Sequence, residues 1–527
     1  MDEYLNPDTE FADRVQGGGY VDKTLLIDHL NACVDCPDHK YVCISRPRRF
    51  GKTVTAEMLC DYYEKDAASL FDSLNIAKTA SYKTHLHKYN VIFINMADAF
   101  SDAGHDVKKL RKKLSLDIGT ELQDRYPEID ISGYKSLRKK LNAVYKCDKT
   151  KFVFIVDEWD CVLREQLKKP KKIKDYLDCL RELFKNKKYL ALAYLTGILP
   201  IKKYGDHSAL NMFDEYSVTN PGVFAPYLGF TRKEVTALCT THSMSFEEMG
   251  QWYDGYTIGK TGHIFNPNSV VKALHDGEFM SYWTRTETWE ALAAYLKLNH
   301  QGLKDEIVKL LAGETVRVDV STFENDMTTF KSRDDVLTLL THLGYLSAEP
   351  DNFGDPDFRI LRIPNREIRS EFRRVITHND DYAQTAEAIE HSRELLNALL
   401  EGDSDKVAAG VAKAHEEHAS ILRYNDENSL SCVLSLAFYS ARDRYTLIRE
   451  LPTGKGFADL VYIPRPGADA PALLIELKYY HSAESALTQI KSQHYPKALE
   501  AYRGNLILAG ISYDKDTKEH SCVIERA

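Results

Sequence analysis

Eight consecutive residues have the types and spacing to hold a polyphosphate: Arg46, Pro47, Arg48, Arg49, Phe50, Gly51, Lys52 and Thr53. They follow a short apolar run, 41–45, and precede sequence that reads as a helix from 54 to about 63. In such a strand, loop and helix, backbone N–H groups and the helix N-terminus surround the phosphate oxygens. The Lys neutralises them and the Thr hydroxyl helps hold Mg²⁺, as in a Walker A loop. The general pattern G-x-x-x-x-G-K-[ST] begins with Gly, where this chain has Arg46. Further along, Lys151-Phe-Val-Phe-Ile-Val-Asp157-Glu158-Trp159-Asp160 is a hydrophobic strand ending in acids. There Asp157 would orient Mg²⁺ through water and Glu158 would polarise an attacking water. A buried strand that ends in a polar turn has the same local pattern, but Gly51-Lys52-Thr53 upstream favours the nucleotide reading. Thr196 closes the apolar run 189–195 and stands where a γ-phosphate sensor would sit; a strand followed by a Gly turn explains it equally well.

A second group lies near the C-terminus. Phe457-Ala-Asp459-Leu-Val-Tyr-Ile463 and Ala472-Leu-Leu-Ile-Glu476-Leu-Lys478 read as two paired strands, with an acid on the first and Glu-x-Lys on the next. The two-residue period of a strand puts Glu476 and Lys478 on one face. Asp459 can converge on them from the neighbouring strand. Two carboxylates then hold Mg²⁺ or Mn²⁺ with waters, while the Lys steadies or deprotonates the attacking water. Glu450 and Gln489 would complete the pocket. The competing reading is a surface ion pair. Glu476 interrupts an apolar strand, however, and a charge there needs a partner or a metal.

The elements that must carry these residues alternate strand and helix over the first 200 positions, with 91–96 a further buried strand. That alternation predicts an α/β domain with a parallel sheet. Gly51, Asp157 and Thr196 would cluster outside its carboxyl ends. The stretch 107–145 reads as charged helix. From 229 to about 300 the pattern turns helical, with Thr231 and Glu234 forming a capping box and Trp252, Tyr253 and Tyr256 in its core. Between 331 and 376 a helix, a two-stranded ribbon and another helix predict a small winged-helix-like unit; such units bind DNA or only pack domains together, and packing is the favoured reading here. Polar residues 378–382 look like a boundary. Helices at 383–400, 406–419 and 430–441 then lead to strands at 445–450, 457–463, 472–478 and 505–509, with a turn at 452–456.

The chain has 527 residues, 43% hydrophobic and 28% charged, with a formal net charge of −9. That is room for two to four domains with real cores, and it gives no global basic field. Any DNA contact would have to come from a local patch such as the basic runs at 108–113 and 168–174, and the reading of both as solvated helix faces is favoured over that one. Ten Cys stand without framework spacing and no apolar leader or membrane-length span is evident, so a reducing cytoplasm is expected. Cys33 and Cys36, near His39 and Cys43, lack the second ligand pair of a zinc site.

Several segments resemble one known family. Tyr20-Val-Asp-Lys-Thr24, the loop from Arg46 to Thr53, Ile155-Val-Asp-Glu-Trp-Asp160 and Leu195-Thr-Gly197 look like the bacterial AAA-ATPase-like family. So do Gly229-Phe-Thr-Arg-Lys-Glu-Val235, Trp252-Tyr-Asp-Gly-Tyr256, Asn266-Pro267 and Tyr282-Trp283. That family usually carries a C-terminal nuclease-like domain of the PD-(D/E)XK superfamily. The resemblance spans most of the chain, and the loop is its most specific part. In the family Arg replaces the first Walker Gly, so Arg46 is the expected residue. Arg46, Arg48 and Arg49 could then contact phosphate through their guanidinium groups, or reach an acid on the protein. Trp159 stands where members commonly carry Tyr, and Asn211-Met-Phe-Asp214 replaces a more usual Asn-Asn-Leu stretch.

The resemblance implies an α/β architecture in four parts. These are an AAA-like P-loop domain (1–228), a helical lid or connector (229–330), the winged-helix-like unit (331–380) and an α/β PD-(D/E)XK nuclease-like domain (381–527). It implies ATP and Mg²⁺ as cofactors. ATP would be bound by residues 46–53, Asp157 and Thr196, and metal by Thr53, Asp157, Asp459 and Glu476. Glu158, Asp459, Glu476, Lys478 and Gln489 would be catalytic. The expected activity is ATP hydrolysis coupled to metal-dependent cleavage of nucleic acid, with ATP gating the nuclease site. The alternative is a nucleotide-dependent switch whose nuclease-like domain binds DNA or a partner without cutting; a chaperone-like AAA machine is a weaker third. Nucleic acid is the expected partner, self-association is open, and no membrane partner is expected.

Overall fold

The computed structural model describes residues 3–527 except 18–19, 66–69, 167–168, 202–208, 284–295, 297–301, 324–329, 331, 352, 378–382, 423–433, 436, 454–455, 466–469, 480–481, 493–498, 500–501, 503, 515–516 and 518. The expected boundary at 378–382 lies outside the described residues. The chain divides into two compact units, one made of Met1–Thr284 with Arg317–Ile368, the other of Arg285–Val316 with Arg369–Ala527.

The first unit is built on five parallel strands: β1 (Tyr41–Ser45), β2 (Asn90–Asn95), β3 (Phe152–Asp157), β4 (Leu190–Gly197) and β5 (Asp214–Tyr216). They lie in the order β2-β3-β4-β1-β5. Every residue of β1, β3 and β4 is buried, because helices cover both faces of a parallel sheet and leave no solvent side for an alternating pattern. Helix α1 (Lys52–Tyr63) packs one face through Met58 and Leu59 against Ile44 and Val153. The other face carries α2 (Val107–Arg125), α3 (Leu137–Asp148) and α4 (Pro170–Phe184), with Leu141 and Leu180 against Ile94 and Phe154. The expected single helical stretch 107–145 is thus two helices. Pro127 disfavours helix at Tyr126 and ends α2, and Ser136 caps α3.

The register fixes what stands at the carboxyl edge. Ser45 pairs with Gly197 and Asn95 with Asp157, so the ends of β1, β2, β3 and β4 are level.

After the sheet come β6 (Phe230–Thr231), α5 (Arg232–His242), α6 (Phe246–Tyr253), β7 (Tyr256–Thr257), β8 (His263–Phe265) and α7 (Pro267–Asp276). Thr231 and Glu234 form the expected capping box. The region is not purely helical, because β6, β8 and β7 make a small sheet of strands too short to carry a readable period. Tyr253 and Tyr256 are buried and Trp252 is half-buried. Next, β9 (Val316–Asp319), α8 (Arg333–Leu343), β10 (Ser347–Pro350), β11 (Phe358–Arg362) and α9 (Arg366–Thr377) give the expected helix, ribbon and helix, with β9 as a third strand beside β11.

The second unit holds α10 (Ala383–Glu401) and α11 (Ser404–Leu422) and a mixed sheet. Its strands are β12 (Tyr445–Thr453), β13 (Gly456–Pro464), β14 (Ala472–Tyr479), β15 (Leu506–Tyr513) and β16 (His520–Arg526), in sequence order. Only β14 and β15 run parallel, joined across α12 (Ala483–Ser492). Strand β16 was not foreseen: its Glu and Arg residues sit on an edge strand with one buried position.

Candidate nucleotide and metal sites

The loop after β1 is held from both sides before it reaches α1. The Arg46 N–H donates to the Gly197 carbonyl at 3.0 Å. Phe50 is buried with its ring edge-on to Tyr256, centroids 5.0 Å apart, and Pro47 lies so close to Gly344 that a Cβ there would meet the proline at 2.8 Å. Arg49 and Gly51 have φ of 70° and 83°. At Gly51 an added Cβ would meet nothing within 4 Å, so what requires glycine is the left-handed backbone and not space. The chain enters α1 at Lys52, leaving the first N–H groups of the helix at the loop.

Lys52 is buried, and its Nζ donates to the Pro47 carbonyl at 2.8 Å. Burial pulls its pKa down to about 8 against the opposing pull of Asp157. Thr53 Oγ1 donates to Asp157 Oδ2 at 2.6 Å, and the Glu158 N–H donates to Asp157 Oδ1 at 2.9 Å. Asp157 is almost wholly buried, and burial raises its carboxyl above the usual range. A hydroxyl and a carboxylate in contact beside an ammonium form an oxygen donor set that suits Mg²⁺.

Two expectations are corrected here. The Arg46 guanidinium is fully buried and donates to the Ser45 and Tyr216 carbonyls at 2.8 and 3.1 Å and to that of Phe224 at 3.4 Å. A buried guanidinium needs acceptors, and Arg46 takes them from the backbone around β1 and β5 instead of from phosphate or an acid. Thr196 is also fully buried, and its hydroxyl donates to the Ile44 carbonyl at 3.1 Å, tying β4 to β1 instead of facing outward past the strand end. Arg49 donates to the Tyr282 carbonyl at 3.1 Å, and Arg48 is half-buried in the loop.

Beyond Asp157 the backbone turns through Glu158 at φ 50°. Arg164 binds the Glu158 carboxylate at 2.8 Å through Nη2 and that of Asp160 at 3.2 Å through Nε. Asp160 is fully buried and accepts the Ile198 and Leu199 N–H groups at 3.3 and 3.0 Å. A Cβ on Gly197 would come within 2.4 Å of Asp160 Oδ1. Sequence reasoning missed Asp160 and Arg164 as partners; their i, i+4 spacing on a short helix was the available signal.

In the second unit Leu460 pairs with Ile475, which places Asp459 opposite Glu476 where the β13–β14 ladder stops. There the Asp459 carboxylate replaces a backbone acceptor and takes the Leu477 N–H at 2.7 Å. Glu476 is buried; Lys478 Nζ stands 3.3 Å from its Oε1, and Gln489 Nε2 donates to the same oxygen. Burial and then the charge of Asp459 push Glu476 up to about 7. Two adjacent carboxylates, one resisting ionisation, with a lysine and an amide, form a hard-oxygen site that a divalent cation would relieve. Among the described residues no group of three or more His, Cys, Asp or Glu could hold a metal, so this site rests on its carboxylate pair. Tyr495 and the side chain of Glu450 lie outside the described residues. Cys33 and Cys36 are free thiols, and His39 pairs with Asp214 at 2.8 Å.

An uncharacterized protein in the vnfD 5′ region of Azotobacter chroococcum mcd 1 is 22% identical over 524 residues, covering 95% of this chain and 93% of that protein. The Aeropyrum pernix ORC2 protein, solved in ADPNP and ADP complexes, aligns with 72% of this chain and 97% of its own at 13% identity and a TM-score of 0.31. Drosophila ORC bound to DNA aligns with 68% of this chain and 87% of its own at 10% identity and a TM-score of 0.25. No helix among the described residues is long and apolar enough to cross a membrane. Residues 10–205 match the AAA-ATPase-like family of predicted AAA-ATPases and residues 425–521 match the PD-(D/E)XK nuclease superfamily, so the chain joins an AAA-ATPase-like domain to a C-terminal PD-(D/E)XK nuclease superfamily domain.

Proposed function

We propose that this protein binds and hydrolyses ATP and cleaves nucleic-acid phosphodiesters with Mg²⁺ at its C-terminal domain. The observation that carries the reading is the convergence of Asp459, Glu476, Lys478 and Gln489 at one end of a hairpin, with Glu476 buried and raised to about 7. Asp459 and Glu476 would hold the metal, which supplies electrostatic stabilisation of the phosphate and an activated water. Lys478 would place its Nζ beside the pair, and Gln489 would orient the Glu476 carboxylate.

In the first unit, Lys52 and the opening N–H groups of α1 would bind the phosphates. Thr53 and Asp157 would hold Mg²⁺, and Glu158 would orient the attacking water. The Arg164 contact fixes the Glu158 side chain in one direction.

The test is incubation of the full chain with Mg²⁺, with and without ATP, on linear, circular and single-stranded DNA and on RNA. Metal-dependent cutting that Asp459→Ala abolishes while ATP turnover continues supports the reading. Cutting that survives Asp459→Ala removes the assigned site. No cutting of any substrate, together with nucleotide-dependent DNA binding, selects the non-cleaving switch.

A further inference from the structure

The basic run 108–113 is not simply a solvated face. Lys108, Arg111 and Lys112 of α2 line a cavity of about 610 Å³ together with Lys135, Arg138 and Lys140 at the start of α3. Ile94 and Met96, on either side of the last residue of β2, also line it, with Leu180 and Phe184 of α4. Glu182 is the one carboxylate among its described lining residues, and it is paired with Arg111. Lys140 is turned onto the Ser115 carbonyl at 2.9 Å. Lys108, Lys112, Lys135 and Arg138 form no ion pair among the described residues and are exposed. Their charge is therefore available to a ligand, in a chain whose net charge is −9. Tyr134 and Leu116, 41% and 60% exposed, add apolar surface to the same cavity.

We propose that this cavity between α2 and α3 binds single-stranded nucleic acid, with its cations on the phosphodiester backbone and Tyr134 against a base. The four unpaired cations, Lys108, Lys112, Lys135 and Arg138, exceed what a single phosphate group needs, and spread along α2 and the start of α3 they suit a run of phosphates. An exposed aromatic ring among cations is the combination that holds unstacked bases, since every base has a π-face. A duplex offers no free base to Tyr134, and an acidic peptide gains nothing specific from it. The inference goes beyond the proposed function in assigning a binding site to the ATPase-like unit. A strand held here and never cut would leave it standing while removing the nuclease reading.

Fluorescence anisotropy of the full chain with a labelled oligothymidylate, in EDTA to prevent metal-dependent cutting, tests it. Lys112→Glu and Arg138→Glu should each weaken binding by about tenfold, and the corresponding Ala variants should each lower the salt slope by about 0.7. Tyr134→Ala should weaken binding and leave the salt slope unchanged. Lys146→Glu, the same charge change at the far end of α3, should match the wild type. Undiminished affinity in both charge reversals overturns the proposal. So does a poly-glutamate peptide that competes as well as the oligonucleotide.

Discussion

Thr53 donates its hydroxyl to Asp157 across 2.6 Å, joining the first turn of α1 to the end of β3 over 104 positions of sequence. The two expected metal ligands of the proposed nucleotide site therefore meet directly. Thr53→Val keeps the shape of the side chain and removes both the bond and the oxygen donor. It should lower Mg²⁺-dependent ATP turnover by about 10–100-fold, the usual cost of disturbing a metal's oriented ligands. Thr53→Ser should restore most of it. Phosphate release at saturating ATP measures this, and turnover in Thr53→Val equal to the wild type would remove Thr53 from the metal site.

Lys52 should make the proposed nucleotide binding depend on pH. Burial sets its pKa at about 8, where an exposed lysine would titrate near 10.5. A bound triphosphate favours the charged ammonium. Below pH 8 the group is already protonated and affinity is level. Above it, binding must take up a proton, so affinity should fall by up to about tenfold per pH unit until the pKa of the complex is reached. Calorimetry at pH 9 in two buffers of different ionisation enthalpy should detect that uptake, and Lys52→Met should show none. A level profile from pH 7 to 10 would disprove the linkage.

The placement of both candidate sites was legible in the sequence where a motif tied residue type to spacing. Gly51-Lys52-Thr53 and Asp157 lie where the strand-and-helix alternation requires, because parallel strands bring their carboxyl ends to one edge. Asp459 and Glu476 meet because strand pairing and a two-residue period leave them no other face. What the sequence hid was direction. Arg46 and Thr196 have side chains suited to phosphate, yet the interior of the sheet takes them, since each finds a backbone carbonyl within reach. The Asp160–Arg164 pair was hidden because its value lies in burial, and burial of an acid is set by tertiary contacts with Ile198 and Leu199. The cationic cavity needed two segments, 108–112 and 135–140, whose proximity only the packing of α2 on α3 reveals.

Glu476 should make stability depend on pH and metal together. Its folded pKa of about 7 lies above the ordinary value of 4.5. The folded state therefore binds the proton more tightly than the unfolded one. This contribution is fully present below pH 4.5 and is lost as pH rises through about 7. A divalent cation that binds the ionised pair reverses the trend. Without metal, the melting temperature should fall more between pH 5 and 8 in the wild type than in Glu476→Gln. Mg²⁺ or Mn²⁺ should stabilise the wild type more at pH 8 than at pH 5, and should stabilise Glu476→Gln less, through the Thr53–Asp157 pair alone. Equal metal stabilisation of the two proteins would show that the cation binds elsewhere.

Gly197 tests whether the buried carboxylate of Asp160 holds the nucleotide edge in place. An alanine methyl there would lie 2.4 Å from Asp160 Oδ1 and 2.9 Å from Trp159 Cδ1. Neither neighbour can retreat freely. Asp160 is bound by Arg164 and by two backbone N–H groups, and the carbonyl of fully buried Trp159 accepts the Tyr176 hydroxyl at 2.6 Å. Gly197→Ala should therefore cost about 1–3 kcal/mol, the range for overpacking a filled interior. Gly133→Ala, where a Cβ meets nothing within 4 Å, should stay within about 0.5 kcal/mol of wild type. Urea unfolding followed by tryptophan fluorescence compares the two. Because Arg164 also holds Glu158, a Gly197→Ala chain that folds should lose ATP turnover by a larger factor than it loses nucleotide affinity. Loss of affinity alone would mean that the Asp160–Arg164 pair stabilises the edge without positioning Glu158.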